Sequence, residues 1–377
     1  MNDFRLFLSG RLMKRRILIT LLILALTLFS CSGGKVLLAK DSTASAQGSA
    51  ETVSGHLTEP FTLVVLPDTQ MYTDLRNNTA YKMQRGWAMY FHKQTNWIKE
   101  NKDRLNIVMV AHLGDITQTD SSLEWQVASR AFKKIDKTVP YILCLGNHDM
   151  GYPADHRKAP KIGNWPNVRK TKLNKYFPSS RFSKNPLYEE NFGSDKSLHF
   201  KDEGKSNNYY LFFEAGGMKF MIIALEFAPQ NEALIWANEV VSKYPERRCI
   251  VMTHAYMNPF TRYRHHPYGV KGNIGEAMWK KFVSLHENIF MVLCGHHVPG
   301  EGRIASIGKN GNVVHEILSN YQNMSNGGNG WLRIMKFIPE EDKIEIKTYT
   351  PLRDEYFTGP ESQFTLNYRM KGLPRRP

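Results

Sequence analysis

Cysteine is scarce in this chain, with four residues in 377. Three of them, Cys144, Cys249 and Cys294, lie beyond the N-terminal region, and an odd, widely spaced set excludes a disulfide framework. Each sits in an apolar run, so each is expected as a small buried hydrophobe. Long hydrophobic runs are also lacking: the run at residues 17–29 is too short to cross a bilayer comfortably. No internal repeat is visible, which leaves repeat architectures out. Acidic residues are outnumbered, 35 against 50 Lys and Arg, for a net charge of +15. A basic surface concentrates anions and suits phosphate esters, nucleic acid or acidic lipid, but it also simply aids solubility. Charge therefore excludes none of these. What is present, 42% hydrophobic and 23% charged residues, excludes general disorder, and the length allows one to three domains.

Lys14, Arg15 and Arg16 precede the run at 17–29, the pattern of an export signal. Leu28-Phe29-Ser30-Cys31 resembles the bacterial lipobox, with Phe29 an untypical member. That resemblance implies a signal peptide over 1–31 and a lipidated Cys31. The product would be an exported lipoprotein, anchored to a membrane and facing the periplasm or the cell exterior. Cleavage after Ala44-Ser45-Ala46, or a retained anchor, are the alternatives. Residues 32–58, rich in Ser, Gly, Ala and Thr, have the composition of a flexible tether.

The globular part opens on a continuous apolar run at 61–66, typical of a strand covered on both faces. Similar runs recur at 105–111, 141–145, 219–225, 249–253 and 289–294. Helical spacing fills 86–100, 123–136, 231–244 and 275–286. Strands alternating with helices predict an α/β fold with a mostly parallel sheet centre. After residue 302 the pattern changes to short strands and Gly/Asn turns, which predicts added antiparallel strands or a second sheet. The main domain is expected over 59–350, with 351–377 as a C-terminal extension. Residues 150–207, rich in Pro, Lys, Asn and Ser, interrupt the alternation as an insertion, either a lid or a solvated basic loop.

Five strands end in polar residues: Asp68-Thr69-Gln70, Gly114-Asp115, Gly146-Asn147-His148-Asp149, His254, and Gly295-His296-His297. In an open α/β sheet, ligands gather outside the carboxyl ends of the strands, so all five segments are expected at one edge. Each alone has an ordinary explanation, such as a turn Asp, a helix N-cap or a core histidine. Together, in this order, they are specific.

Their order resembles the calcineurin-like metallophosphoesterase superfamily, whose pattern is Asp-x-His/Gln, Gly-Asp, Gly-Asn-His-Asp/Glu, a lone His, and Gly-His-x-His. The resemblance covers roughly 61–300. It implies a four-layer αββα sandwich of two mixed β-sheets flanked by helices. It also implies hydrolysis of phosphate mono- or diesters by a metal-bound hydroxide. Carried over by position, Asp115 bridges two cations, Asn147, His254 and His296 complete one site, and Asp68 and Gln70 belong to the other. His148 stands near the leaving group as general acid. The cofactor is one or two ions of Mn, Fe or Zn, since mixed Asn, His and carboxylate ligation suits all three.

The sequence departs from the pattern at Val298, where Gly-His-x-His has its second histidine, and at Gln70, where His is commoner. Both changes fall on the first site. His297 is a poor substitute, because adjacent residues on extended backbone point opposite ways. Arg303 is the first candidate for stabilising the phosphate oxygens, followed by Arg262 and Arg264 with His265 and His266 beside them. The stretch Asn320-Tyr321-Gln322 and the glycines before Trp331 are expected to border the pocket. The expected partner is a small phosphate ester or nucleotide. Nucleic acid and a membrane reached through the lipid anchor are further candidates, and no protein partner is inferable. A metal- and phosphate-binding protein without turnover, or an exported nuclease, are the alternative readings.

Overall fold

The computed structural model describes residues 59–77, 86–150, 169–265 and 271–371. The expected signal peptide, Cys31 and the tether lie outside the described residues, as do 151–168 of the insertion, His266 and the last six positions. Among the described residues, no helix is long and apolar enough to cross a membrane.

Among the described residues, sixteen strands follow one another. The first eight are β1 (Phe61–Leu66), β2 (Ile107–His112), β3 (Tyr141–Leu143), β4 (Asn191–Phe192), β5 (Asp195–Lys196), β6 (Leu198–Phe200), β7 (Tyr209–Ala215) and β8 (Met218–Ala224). The rest are β9 (Arg248–Met252), β10 (Ile289–Cys294), β11 (Gly300–Ile307), β12 (Val313–Asn320), β13 (Leu332–Ile338), β14 (Lys343–Thr350), β15 (Glu355–Phe357) and β16 (Gln363–Asn367). Fourteen of them form two seven-stranded sheets, and β4 and β5 pair with each other alone. One runs β15-β14-β13-β1-β2-β3, with β16 also on β14; the other runs β11-β12-β10-β9-β8-β7-β6. The centres are parallel, β1-β2-β3 in the first sheet and β8-β9-β10-β12 in the second, with antiparallel strands at the flanks. Residues 355–367, expected beyond the domain, supply β15 and β16 to the first sheet.

Alternation along the strands of the second sheet explains the layers. Phe220, Ile222 and Ala224 of β8 join the larger core, while Met221 and Ile223 join a separate core on the opposite face. On the inner side, Phe61 of β1 stacks on Phe337 at 4.7 Å and meets Phe220 edge-on at 5.6 Å, tying the two sheets face to face. Rings of this kind contribute roughly 1.5–3 kcal/mol each by leaving water. The outer face of the second sheet is covered by helices at Asn231–Lys243 and Gly275–Lys281. The first sheet is covered by helices at Ala88–Asn101 and Ser122–Phe132, whose Phe91 and Phe132 rings both lie 5.9 Å from His112 of β2. The result is the αββα sandwich, with continuous apolar strands because both faces of each sheet centre are buried.

Within the insertion, residues 169–207 pack on this frame. Leu173, Phe177, Phe182 and Tyr188 are buried in the larger core. Arg181 joins them by pairing with Asp136 at 2.9 Å and lying 4.3 Å over the Phe177 ring.

Candidate metal centre

The five polar segments leave the carboxyl ends of β1, β2, β3, β9 and β10, which are parallel strands of the two packed sheets. Their side chains therefore meet where the two sheet edges face each other. Asp115, His254 and His296 are all buried, and their ligand atoms lie within 4.8 Å of one another. Asp115 Oδ2 is 3.2 Å from His254 Nε2, and His296 Nδ1 is 2.9 Å from Asn147 Oδ1 and 3.3 Å from His254 Nε2.

Local backbone aims these groups. Asp115 and His296 both take left-handed conformations, φ 47° and 71°. That costs about 1–2 kcal/mol for a residue with a Cβ and is characteristic of functional sites. Glycines let the backbone approach the carboxylates. A Cβ on Gly146 would collide with Asp115 Oδ1, and one on Gly295 would collide with Asp68 Oδ1. His254 Nδ1 is 2.8 Å from the Leu113 carbonyl, which can only accept, so Nδ1 carries a proton and Nε2 is directed into the cluster. A histidine fixed through its other nitrogen is the usual support of a metal ligand.

Asp68 is linked to the cluster through backbone: its carboxylate accepts the His296 N–H at 3.1 Å and Asn320 Nδ2 at 2.8 Å. Burial, together with Asp115, holds its carboxyl well above the usual range. Burial would raise Asp115 too, but His254, His148 and His296 outweigh it and hold that carboxyl well below. Burial disfavours a charged His254, yet the Asp115 and Asp68 carboxylates hold its imidazole up to about 9. A pair of buried carboxylates that calls on a histidine for positive charge is an electrostatic setting suited to a cation. The donors, mixed nitrogen and oxygen on preset backbone, fit Mn, Fe or Zn.

Asp149 and Asn320, each in a stretch the sequence singles out, and His112, which it does not, support these groups. Asp149 accepts from Ile116 and Gly146 N–H with Oδ2, and from Thr117 N–H and Oγ1 with Oδ1, all between 2.8 and 3.0 Å. Burial and Asp115 push its carboxyl up to about 7 against the pull of those N–H groups. Asn320 holds Asp68. His112 accepts the Gly114 N–H on Nδ1 at 3.2 Å, so its Nε2–H donates to Thr69 Oγ1 at 2.9 Å, joining the first two loops.

His148 is attached to the centre by its backbone N–H, which donates to Asp115 Oδ1 at 2.9 Å. Its Nδ1 is 2.8 Å from the Gln118 carbonyl and so bears a proton, making Nε2 the basic nitrogen of the neutral ring. Gln70 stands at the start of a short helix, Gln70–Thr73, with its amide against that of Gln322. Arg303 is not brought to the centre. Antiparallel β11 pairs Gly300 with Asn320 beside the site and then runs away from it, so Arg303 sits opposite Ile317, roughly 10 Å down the strand. Its guanidinium pairs with Glu361 at 3.5 Å and lies 4.1 Å over Phe364. Arg262 is likewise engaged, with Glu316 at 3.3 Å, Glu276 at 3.2 Å and the Trp279 ring at 4.1 Å. Arg264 and His265 are exposed.

His112 gives a pH prediction. Burial lowers its imidazole to about 3, so the native state keeps it neutral while an unfolded chain binds a proton below about pH 6.5. A histidine depressed in the folded state costs stability as pH falls, about 1.4 kcal/mol per unit below the unfolded value. Urea midpoints between pH 7 and 5 should fall in the native sequence. The fall should be shallower by about one proton's slope in His112→Asn, whose Oδ1 can still accept from Gly114. Identical slopes would remove His112 as the cause.

Residues 61–300 match the calcineurin-like phosphoesterase family. A Bacillus subtilis (strain 168) protein, "Uncharacterized protein YvnB", is 29% identical over 328 residues, covering 82% of this chain. This chain spans only 22% of that protein's length. Among solved structures, the purple acid phosphatase PPD1 from yellow lupin seeds superposes with TM-score 0.49 at 12% identity, covering 82% of this chain and 54% of that one. A dimetal phosphatase from Danio rerio superposes with TM-score 0.45 at 15% identity, covering 82% and 99%.

Proposed function

The chain belongs to the calcineurin-like phosphoesterase family, and on that premise we propose that it hydrolyses phosphate mono- or diesters of small molecules or nucleotides at the Asp115–His254–His296 cluster. The observation that carries this reading is the fixed tautomer of His254, whose Nε2 converges with Asp115 Oδ2 and His296 Nδ1 in a buried pocket of strand ends. Asp115, Asn147, His254 and His296 would hold one cation, and Asp68, Gln70 and the shared Asp115 a second. Cations bound there would supply Lewis acidity, lowering the pKa of water toward about 7 and neutralising phosphate oxygens.

The chain's own groups do the rest. Asp115 accepts the His148 backbone N–H and so fixes the distance between that side chain and the centre. The Gln118 carbonyl accepts a hydrogen bond from His148 Nδ1–H, so the protonated ring carries its transferable proton on Nε2. From there it can pass to the oxygen of the departing alcohol. Phe227 stands 6.1 Å from the His254 ring and 6.0 Å from His296, giving the centre an apolar wall that limits water.

The test uses protein stripped of metal and resupplied with Mn, Fe or Zn in turn, assayed on aryl phosphates, alkyl phosphates and nucleotides. Metal-dependent turnover is expected. His148→Ala should lower kcat by about 10²–10⁴ on alkyl esters, and much less on nitrophenyl esters whose leaving group needs no proton. Absence of hydrolysis with every ion and ester would end the reading; an equal loss on both ester types would end the role given to His148.

A further inference from the structure

Half of the proposed centre is short of a ligand. Val298 occupies the position of the family's last histidine, and the neighbouring His297 has its Nδ1 engaged by Tyr263 Oη at 2.5 Å. The end of β12 reaches the same place from another direction. Asn320 Nδ2 donates to Asp68 Oδ2 at 2.8 Å, and Asn320 Oδ1 accepts the Gln322 N–H at 3.0 Å. The Gln322 side chain then meets Gln70, amide against amide. Gln70 is 4% exposed, and its Oε1 is buried without a hydrogen-bond partner.

We propose that Gln322 replaces the missing histidine, forming with Asp68 and Gln70 an oxygen-donor half-site for the first cation. This rests on the functional reading above and adds a ligand to it. The orphaned oxygen is the reason. A buried carbonyl oxygen in a native protein finds a donor or a cation. The orientation of a Gln amide is an assignment between two nearly identical shapes, and turning the Gln70 amide presents its oxygen to the Gln322 Oε1 that now faces its NH₂ group. Two amide oxygens side by side, on a segment that Asn320 ties to the buried Asp68 carboxylate, are a donor set suited to a cation.

The segment that carries Gln322 is held in place. Tyr321, between Asn320 and Gln322, is 2% exposed and donates its hydroxyl to Glu301 at 2.8 Å. Buried Arg333, from the other sheet, donates to Tyr321 Oη and to Glu301, each at 3.1 Å. A rigid support of this kind presents a ligand at a defined position.

The chemistry of the two halves then differs. Asp68, Gln70 and Gln322 offer only oxygen, which favours Mn²⁺, Mg²⁺ or Ca²⁺, whereas the half with His254 and His296 favours Zn²⁺ or Fe. The first ion should be the exchangeable one and should prefer Mn²⁺ to Zn²⁺.

The experiment titrates Mn²⁺ into the metal-stripped chain by calorimetry, counts ions by mass spectrometry, and records the paramagnetic resonance of the coupled Mn pair. The native chain should bind two ions and show coupling. Gln322→Ala and Gln70→Ala should each keep one tight ion, lose the coupled signal and weaken the other ion by at least about 100-fold. Gln322→Glu, which keeps an oxygen, should retain both. The retained tight ion reports that the variants are folded. Two ions bound as tightly in Gln322→Ala as in the native chain would overturn the proposal, as would a native chain that binds only one. Two ions without ester hydrolysis would instead overturn the functional reading and leave the half-site standing.

Discussion

Asp115→Asn is expected to lower kcat/KM by at least about 10³-fold, equivalent to about 4 kcal/mol of lost transition-state stabilisation. The change is nearly isosteric, so packing does not account for it. Asp115 Oδ2 faces His254 Nε2 at 3.2 Å and Oδ1 accepts the His148 N–H at 2.9 Å, so one carboxylate would serve the proposed cation binding and the placement of the proposed proton donor together. An amide at this point loses the charge shared by both proposed cation positions. Stability separates this from unfolding. A ligand at 100 times its Kd adds about 2.7 kcal/mol to a chain that binds it only when folded. Thermal melts should therefore rise with added Mn in the native chain and stay flat in Asp115→Asn. Without metal the two melts should nearly coincide, because a buried carboxylate replaced by its amide removes a desolvation cost as well as an ion pair. A variant that still melts higher with metal and still turns over would remove Asp115 from the centre.

The carbon-rich part of this architecture is legible in sequence because burial on both sheet faces writes uninterrupted apolar runs. Strands β1, β9 and β10 fall where 61–66, 249–253 and 289–294 place them. Strand β8 also falls at 219–225, but its hairpin partner β7 is less legible. Tyr209–Ala215 follows directly on a polar insertion, and its Tyr and Phe side chains alternate between the two cores without a polar face to reveal the period. The end of the chain hides for a different reason. Strands β15 and β16 are short edge strands paired to β14, with exposed residues that give little pattern. In the centre, residues in a fixed order after apolar strands could be picked out singly. What joins them could not. Asn320 and Asp68 are far apart in the chain and meet only because β12 lies parallel to β10 in the second sheet, whose edge faces β1 of the first. Arg303 misleads for the same reason: nearness to His296 along the chain says nothing about the direction in which β11 departs.

Asp149→Ala should destabilise the metal-free chain by about 3–5 kcal/mol, the range for removing one partner from a buried charged network. The side chain is fully buried and takes four hydrogen bonds, two on each oxygen. Its donors come from both sides: Ile116 and Thr117 follow Asp115, and Gly146 precedes Asn147. The carboxylate is thus a latch between the loop after β2 and the loop after β3. Truncation leaves three backbone N–H groups and one hydroxyl facing a void, and each unsatisfied buried donor costs about 1–3 kcal/mol before relaxation. Asp149→Asn keeps the shape but turns an NH₂ toward donors, so an intermediate loss of about 2 kcal/mol is expected from urea midpoints at unchanged m. The latch also predicts an effect on the centre that general destabilisation does not produce. Asp115 and Asn147 would drift relative to each other, and a displacement of about 1 Å in a catalytic group costs around 10²-fold in rate. Metal affinity should fall by about 10–100-fold in the same variants, measured where both remain folded. Stability lost with metal affinity intact would make Asp149 a part of the core alone. Both lost together identify the residue that sets the spacing between the two loops.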